Sequence, residues 1–323
     1  MNFSAYNSTQ SNISSTPLRD TFATALTKNI IVVVLCISIN YINATLIHTF
    51  FRHSIFKENP RYILFVHLVV NDMIQLTIAV LLHVVSYVFF TINVSLCCVL
   101  LMIAISTTYN TPLNLASMAV ERYIAVCNPL RHAQICTVRR THALIGIIWT
   151  LGVVPILPDL FVILATEPVS FFHSSVFCNR DPVFRHPYLR EKKNISFIAY
   201  LCLVWLTLVY TYFRILFAAK AMKSDARKAR NTILLHAAQL CMCMFTYIGP
   251  LLDTVLLYIF PMYVLEMRFT SYLIIHILPR FLSPIIYGLR DKVFQKYFKR
   301  YLLCKVDISI HQKNVSTVKS LHS

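Results

Sequence analysis

The chain has 323 residues, of which 57% are hydrophobic and only 13% charged, and its formal net charge is +17. A soluble domain carries about 25% charged residues, so this chain lacks the polar surface that would keep it in water. Its apolar residues fall in long runs, which points to lipid as the solvent and argues against one large water-excluded core.

Residues 1 to about 26 are polar, rich in Ser, Thr and Asn, and lack the apolar core of a cleavable signal peptide. Asn2, Asn7 and Asn12 each open an Asn-X-Ser/Thr sequon. Such sites matter only in the secretory lumen, so the tail is expected outside, with the first hydrophobic segment serving as the membrane-targeting signal. Apolar segments follow at about 28–51, 61–86, 95–127, 142–164, 195–218, 232–260 and 269–289. Each holds the roughly 20 residues that a helix needs to cross a hydrocarbon core. Helices are the open-ended way to satisfy backbone groups in lipid. The expected fold is therefore an all-α membrane protein. A tail over 1–27 precedes a seven-transmembrane helix bundle over 28–289, then a short amphipathic eighth helix over 290–304 and a final tail over 305–323. No internal repeat is evident, which weakens a transporter reading built on inverted repeats.

With the N-terminus outside, the basic residues gather on the inner side. The inner loops hold Arg52, Lys57 and Arg61, then Arg131, Arg139 and Arg140, then Lys220, Lys223, Arg227, Lys228 and Arg230. The inner tail adds basic residues from Arg290 to Lys305. Inside exceeds outside by about two to one, as the positive-inside rule expects. This distribution accounts for the charge without nucleic acid. A basic outer cluster from Arg180 to Lys193 departs from the rule, although long loops translocate largely regardless of charge. Sequons at Asn93 and Asn194 also fall outside on this map, whereas those at Asn43 and Asn314 fall in a span and in the inner tail and are discounted. Most of the ten cysteines lie inside apolar runs, where Cys behaves as a small hydrophobe. No pair of CxxC units and no HExxH motif occurs, so no metal centre of that kind is expected.

Charges inside apolar spans are costly and usually functional. Asp72 sits in LVVNDMIQL, in the middle of segment two. One reading is an acid held neutral by its neighbours. The other is a carboxylate at a polar switch point, which Asn43, Thr111 and Ser283 would face from segments one, three and seven. Oxygen ligands of that kind suit a hard cation such as sodium.

Glu121, Arg122 and Tyr123 close segment three and run on into IAVCNPLRH. This stretch, MAVERYIAVCNPLRH, resembles the rhodopsin-like (class A) G-protein-coupled receptors, and in its spelling the odorant receptors. By that resemblance Glu121 restrains Arg122 at rest, and Arg122 is released towards the G protein when the bundle opens. In segment seven, PRFLSPIIYGLRDKVFQKYF is similar to the family's Asn-Pro-x-x-Tyr element and its eighth helix. Pro284 removes a helix hydrogen bond, and Tyr287 places a hydroxyl one turn further on. Ser283 stands where the family usually has Asn, which bears on any ion site and not on the fold. KARNTILLHAAQL at the start of segment six, with Phe245, Tyr247 and Gly249 beyond it, resembles the odorant-receptor stretch. Tyr212 resembles the tyrosine that helps hold the active state. The resemblance covers residues from about 40 to 300, and the MAVERY and SPIIY spellings look like a fish-type branch.

The resemblance further implies a disulfide between the outer start of segment three and the following outer loop. Cys97 and Cys178 occupy those places; Cys98 competes, and Cys97 is preferred for its spacing from Arg122. Phe294, Tyr297, Phe298 and Tyr301 recur at helical spacing among lysines, the pattern of a helix that lies at the interface and attracts anionic membrane lipid. Cys304 is a candidate for palmitoylation, with a free thiol as the alternative.

The expected ligand pocket is the outer half of the bundle. Helical turns counted back from Arg122 bring Ala104, Ile105, Thr108 and Tyr109 to its inward face, with Leu251, Leu252 and Val255 from segment six. Helix packing is the competing role for each of them. The outer half of segment three has no acidic residue, which disfavours a charged amine. An apolar pocket with one or two hydroxyls suits a small organic molecule. The resemblance thus implies an odorant receptor, without enzymatic activity, that activates a heterotrimeric G protein of the olfactory stimulatory type by outward movement of helix six. The rivals are the same fold with a peptide or lipid ligand, and a transporter or channel.

Overall fold

The computed structural model describes residues 21–221, 255, 259, 261–282 and 292–302. Helix α1 spans Phe22–Arg52 and begins earlier than the expected start near 28, because the Thr21 hydroxyl accepts the Thr24 N–H and caps it. A short α2 (Ser54–Lys57) leads to α3 (Pro60–Val88), which carries Pro60 in its first turn, where the missing N–H leaves nothing unpaired. Strand β1 (Ile92–Asn93) opens onto the long α4 (Val94–Cys127). Then come α5 (Pro129–Ile135), α6 (Val138–Val153), α7 (Leu157–Thr166) and α8 (Val169–His173). Strand β2 (Ser175–Val176) pairs antiparallel with β1, Ile92 opposite Val176. Helices α9 (Arg180–Val183) and α10 (Pro187–Ala221) complete this part. Further on, α11 (Val264–Tyr272) widens into a π-helical turn over Leu273–Ile277, and α12 covers Lys292–Leu302.

Among the described residues, five helical stretches are long and apolar enough to cross a membrane: Phe22–Arg52, Pro60–Val88, Val94–Cys127, Val138–Thr166 and Ile198–Ala218. They match the first five expected segments. Their outward faces are apolar, with Ile37, Phe161 and Leu206 among the exposed side chains, as a lipid solvent requires. Segment six lies outside the described residues except for Val255 and Ile259, and segment seven is described as far as residue 282.

Segment four is not one regular helix. Pro155 and Pro158 each lack an N–H, so the carbonyls a turn before them lose their partners, and the chain breaks between α6 and α7. The break turns Asp159 inward, where it is 1% exposed.

Helix α4 is the axis of the bundle and packs against α3, α6 and α10. Apolar clusters share these contacts with a set of buried hydrogen bonds. The Trp149 indole N–H donates to Nε2 of His67 (2.8 Å), so the imidazole proton resides on Nδ1 and is donated to Oδ1 of Asn114 (2.7 Å). Asn114 in turn donates to the Asn110 carbonyl (3.0 Å). One turn further along α3, Asn71 donates to the Thr107 carbonyl and the Thr111 hydroxyl, both at 3.0 Å, and Gln75 donates to Thr108 (2.7 Å).

The aromatic face of α12 is docked on protein. Phe294, 1% exposed, stacks on Tyr62 and meets Phe56 and Phe65 edge-on. Tyr297 and Tyr301 pack on His53, and Tyr301 also meets His48.

Close approach of α6 to α4 depends on Gly152. A Cβ there would lie 2.1 Å from Oδ1 of Asn110 and 3.1 Å from the Ser106 carbonyl. Gly152→Ala should therefore destabilise the bundle by about 1–3 kcal/mol, and Asn110→Ala in the same chain should recover most of the loss. Thermal unfolding of the purified protein in detergent measures both; an unchanged midpoint for G152A would mean that the two helices are not in contact there.

Candidate functional site

Two polar sites mark the two ends of α4. At its start, Cys97 is bonded to Cys178, with the Cα atoms 5.6 Å apart, and Cys98 is a free buried thiol. The pairing preferred from the sequence is thus the one present. The bond draws the segment after β2 across the mouth of the bundle, where Val94, Leu101, Ile163, Val183 and Phe184 form an apolar cluster around it.

Arg180, two residues beyond Cys178, continues inward and donates from Nη2 to Oδ2 of Asp159 at 2.9 Å. Lys192 from α10 donates to the other carboxylate oxygen at 2.6 Å and to the Pro155 carbonyl at 3.0 Å. The Tyr109 phenol is in hydrogen-bonding and electrostatic contact with Arg180 and Ser196. Its ring meets Tyr200 edge-on at 5.1 Å, and the Tyr200 hydroxyl donates to the Tyr109 carbonyl. Sequence reasoning missed Asp159, although an acid in the outer half of an apolar span was a visible signal. It also explains part of the basic outer cluster: two of those cations are folded onto a buried carboxylate.

The expected pocket residues on α4 separate by direction. Tyr109 is buried towards α10, whereas the Thr108 hydroxyl is turned to α3, accepting from Gln75 and donating to the Ala104 carbonyl. Ile105 lies against the apolar cluster around the disulfide. Val255 is exposed, and Leu251 and Leu252 lie outside the described residues.

At the far end of α4, Glu121 is buried and its Oε1 is 3.0 Å from Nε2 of His132 on α5. This partner comes from the CNPLRH run itself. Tyr123 packs near Tyr210 at 6.0 Å and bonds to the Arg214 side chain, which ties α4 to α10. Tyr212 is on the same helix, 39% exposed, against Phe213. A cavity of about 320 Å³ adjoins Glu121, lined by Leu64, Leu113, Val120, Cys136 and Arg140 among others. Burial pushes the Cys136 thiol up, the Glu121 carboxylate adds to this, and Arg140 partly opposes it.

Midway, Asp72 is 3% exposed and Asn43 fully buried, with neither amide atom of Asn43 hydrogen-bonded among the described residues. The Thr111 hydroxyl is already engaged by Asn71, Gln75 and the Thr107 carbonyl. A second buried charge went unread in the sequence: Arg280, 5% exposed, donates to the carbonyls of Ile275 and His276 in the π-helical turn. Ser283, Pro284, Tyr287, Cys304, Asn2, Asn7 and Asn12 lie outside the described residues, as does the side chain of Asn194. Asn93 is exposed and caps α4, accepting the Ser95 N–H at 2.9 Å.

Residues 42–287 match the family of 7 transmembrane receptors (rhodopsin family). The chain belongs to that family of receptors. Its fold is accordingly a seven-transmembrane helical bundle, it is a multi-pass membrane protein, and the family is one of receptors, not enzymes. This receptor is 32% identical over 317 residues to Odorant receptor 131-2 of Danio rerio, covering 91% of its own length and 92% of that protein's. It is 28% identical over 228 residues to human Olfactory receptor 10P1, which covers 64% of this receptor and 62% of the relative. Human Motilin receptor matches more locally, 38% over 68 residues, or 21% of this chain and 16% of that one.

Because one covalent bond holds the mouth of this receptor, Cys97→Ala and Cys178→Ala should each lower stability by about 2–4 kcal/mol, and the double variant by no more than either single one. Cys98→Ala should match the wild type. Unfolding midpoints of the purified variants check this; equal damage from C98A would contradict the pairing.

Proposed function

We propose that this chain is an odorant receptor that binds small organic molecules at the disulfide end of the bundle and activates a heterotrimeric G protein from the Glu121 end. The observation that carries the reading is the likeness to Odorant receptor 131-2 along nine-tenths of both chains, with 32% identity. The mouth supports it. Tyr109 and Tyr200 supply hydroxyls and ring faces, and Ile105 and the cluster around Cys97 supply apolar surface. No acid stands on α4 between Val94 and Val120 to receive a charged amine. A peptide ligand is the second reading; its support is the local match to the motilin receptor.

The mechanism is a population shift. A ligand that prefers the open bundle raises the population of that state by its differential affinity. Segment six then moves outward from Arg122, and the cleft so formed takes a helix of the G protein. The His132–Glu121 contact holds α5, which carries Arg131, against this end of α4, and Arg139 and Arg140 follow in the first turn of α6. Pro284 and Tyr287 are the switch elements of segment seven, and Tyr212 supports the active arrangement from α10. The N-terminus is outside and the receptor resides in the plasma membrane; Asn2, Asn7, Asn12, Asn93 and Asn194 are its glycosylation sites, and Cys304 its palmitoylation site. A sodium ion beside Asp72 belongs to the same reading, because the amide oxygen of buried Asn43, unpartnered among the described residues, suits a hard cation. Thr111 contributes less, its hydroxyl being engaged, and Ser283 would complete the set. The G protein is of the olfactory stimulatory type.

Cyclic-AMP production in cells carrying an olfactory-type G protein, screened against pooled water-soluble odorants, tests this. Arg122→Ala should reach the surface normally and lose the response by about tenfold or more, a coupling of at least roughly 1.4 kcal/mol. A well-expressed wild type that stays silent across broad odorant panels and several G proteins, yet responds to a peptide, would replace the odorant reading with the peptide one.

A further inference from the structure

Among the described side chains, the charges around Asp159 are unbalanced. One carboxylate, that of Asp159, is 2% exposed and receives two cations, Arg180 at 2.9 Å and Lys192 at 2.6 Å, whose side chains are 18% and 20% exposed. Among the described side chains, Asp159 is the one acid that either cation touches. A single cation would already neutralise it, so among the described side chains a charge of +1 is left in a site mostly screened from water. Charge in such a place is costly without a counter-charge.

The donors around this excess converge. Arg180 has five N–H groups and Lys192 three, and Asp159 and the Pro155 carbonyl account for only part of them. The Tyr109 hydroxyl bonds to both Arg180 and Ser196. Apolar surface begins immediately next to them: Ile105, Leu101 and Ile163 belong to the cluster under the disulfide, and Tyr200 covers Tyr109. A cationic, donor-rich corner against an apolar wall is the complement of a small molecule with an anionic head and an apolar body.

We propose that Arg180 and Lys192 form the anion-binding part of the ligand site, and that the ligands of this receptor are small organic acids. The carboxylate sits against Arg180, Lys192 and the Tyr109 hydroxyl, and the hydrocarbon part lies along Ile105 and Tyr200. Asp159 is a positioning residue: it holds both cations in place and competes with the ligand for them. This inference rests on the reading of the chain as a small-molecule receptor.

The test uses the full chain, purified into discs of uncharged lipid, with its unfolding temperature as the readout. The probes are hexanoate, octanoate, decanoate and phenylacetate, each beside its methyl ester, with sodium chloride as the inorganic anion. The acids should raise the unfolding temperature of the wild type and the esters should not. Lys192→Gln leaves a balanced Arg180–Asp159 pair, so it should fold normally and bind the acids at least about tenfold more weakly, as expected when one member of a charge pair is removed. Asp159→Asn, if it folds, should bind them more tightly. Esters that stabilise as well as acids, a K192Q protein that keeps acid binding, a panel in which no acid acts, or a chloride effect equal to that of the acids would each overturn the proposal. Because unfolding does not depend on a G protein, acid binding without cyclic-AMP production would leave this inference standing and remove the signalling one.

Discussion

The bundle depends on hydrogen bonds made by the central helix. In hydrocarbon, one apolar side chain is no better solvated by another than by lipid, so helices associate through close packing and polar contacts. Helix α4 supplies both. Asn114 binds α3 through His67, and His67 binds α6 through Trp149, so three helices share one imidazole. Asn71 and Gln75 repeat the link between α3 and α4 along the membrane depth. Gly152 lets α6 lie against Ser106 and Asn110 without intervening atoms. These contacts fix the rotation and height of each helix, and the two sites at the ends of α4 inherit their geometry from them.

Buried charge follows the same logic. Asp159 is held by two cations, Glu121 by a histidine, and Arg280 by carbonyls that the π-helical turn presents. Each of these groups lies at an irregularity: a proline break, the end of a helix, a widened turn. A regular helix satisfies its own backbone and offers little to a charged side chain. Irregular backbone at membrane depth is tolerated where protein surrounds it. Asp159, Glu121 and Arg280 therefore coincide with such irregularities, whereas Asp72 and Lys28 are buried along the regular helices α3 and α1.

The spans were legible in the sequence because apolar length alone decides them, and the first five agree with the structure to within a turn or two at most ends. The Cys97–Cys178 bond was legible through the family pattern. The disposition of Asp159 was not: its partners lie 21 and 33 residues away, and no local pattern ties them to it. Pro155 and Pro158 announced a break in segment four, yet not that the break would turn a carboxylate inward. The aromatic spacing of α12 was read correctly as one face of a helix. Its placement against Phe56 and Tyr62 was not, because periodicity tells which side is apolar and not what covers it. Among the pocket candidates, Thr108 and Tyr109 are neighbours in sequence and point to different helices, a separation set by the angular step of about 100° per residue.

Cys178 and Arg180 are separated by one residue, and they attach the same short segment covalently to α4 and by an ion pair to α7. Two anchors so close together act as a fulcrum. Helices α4 and α7 cannot part at that end without breaking one of them, so any tilt must be expressed at the other. Helix α4 has 34 residues, which makes a lever about 50 Å long, and a tilt of roughly 5° at the fulcrum would sweep its far tip through about 4 Å. The rigid mouth thus converts a change of shape too small to disturb it into a displacement of atomic dimensions where Glu121 and Arg122 lie.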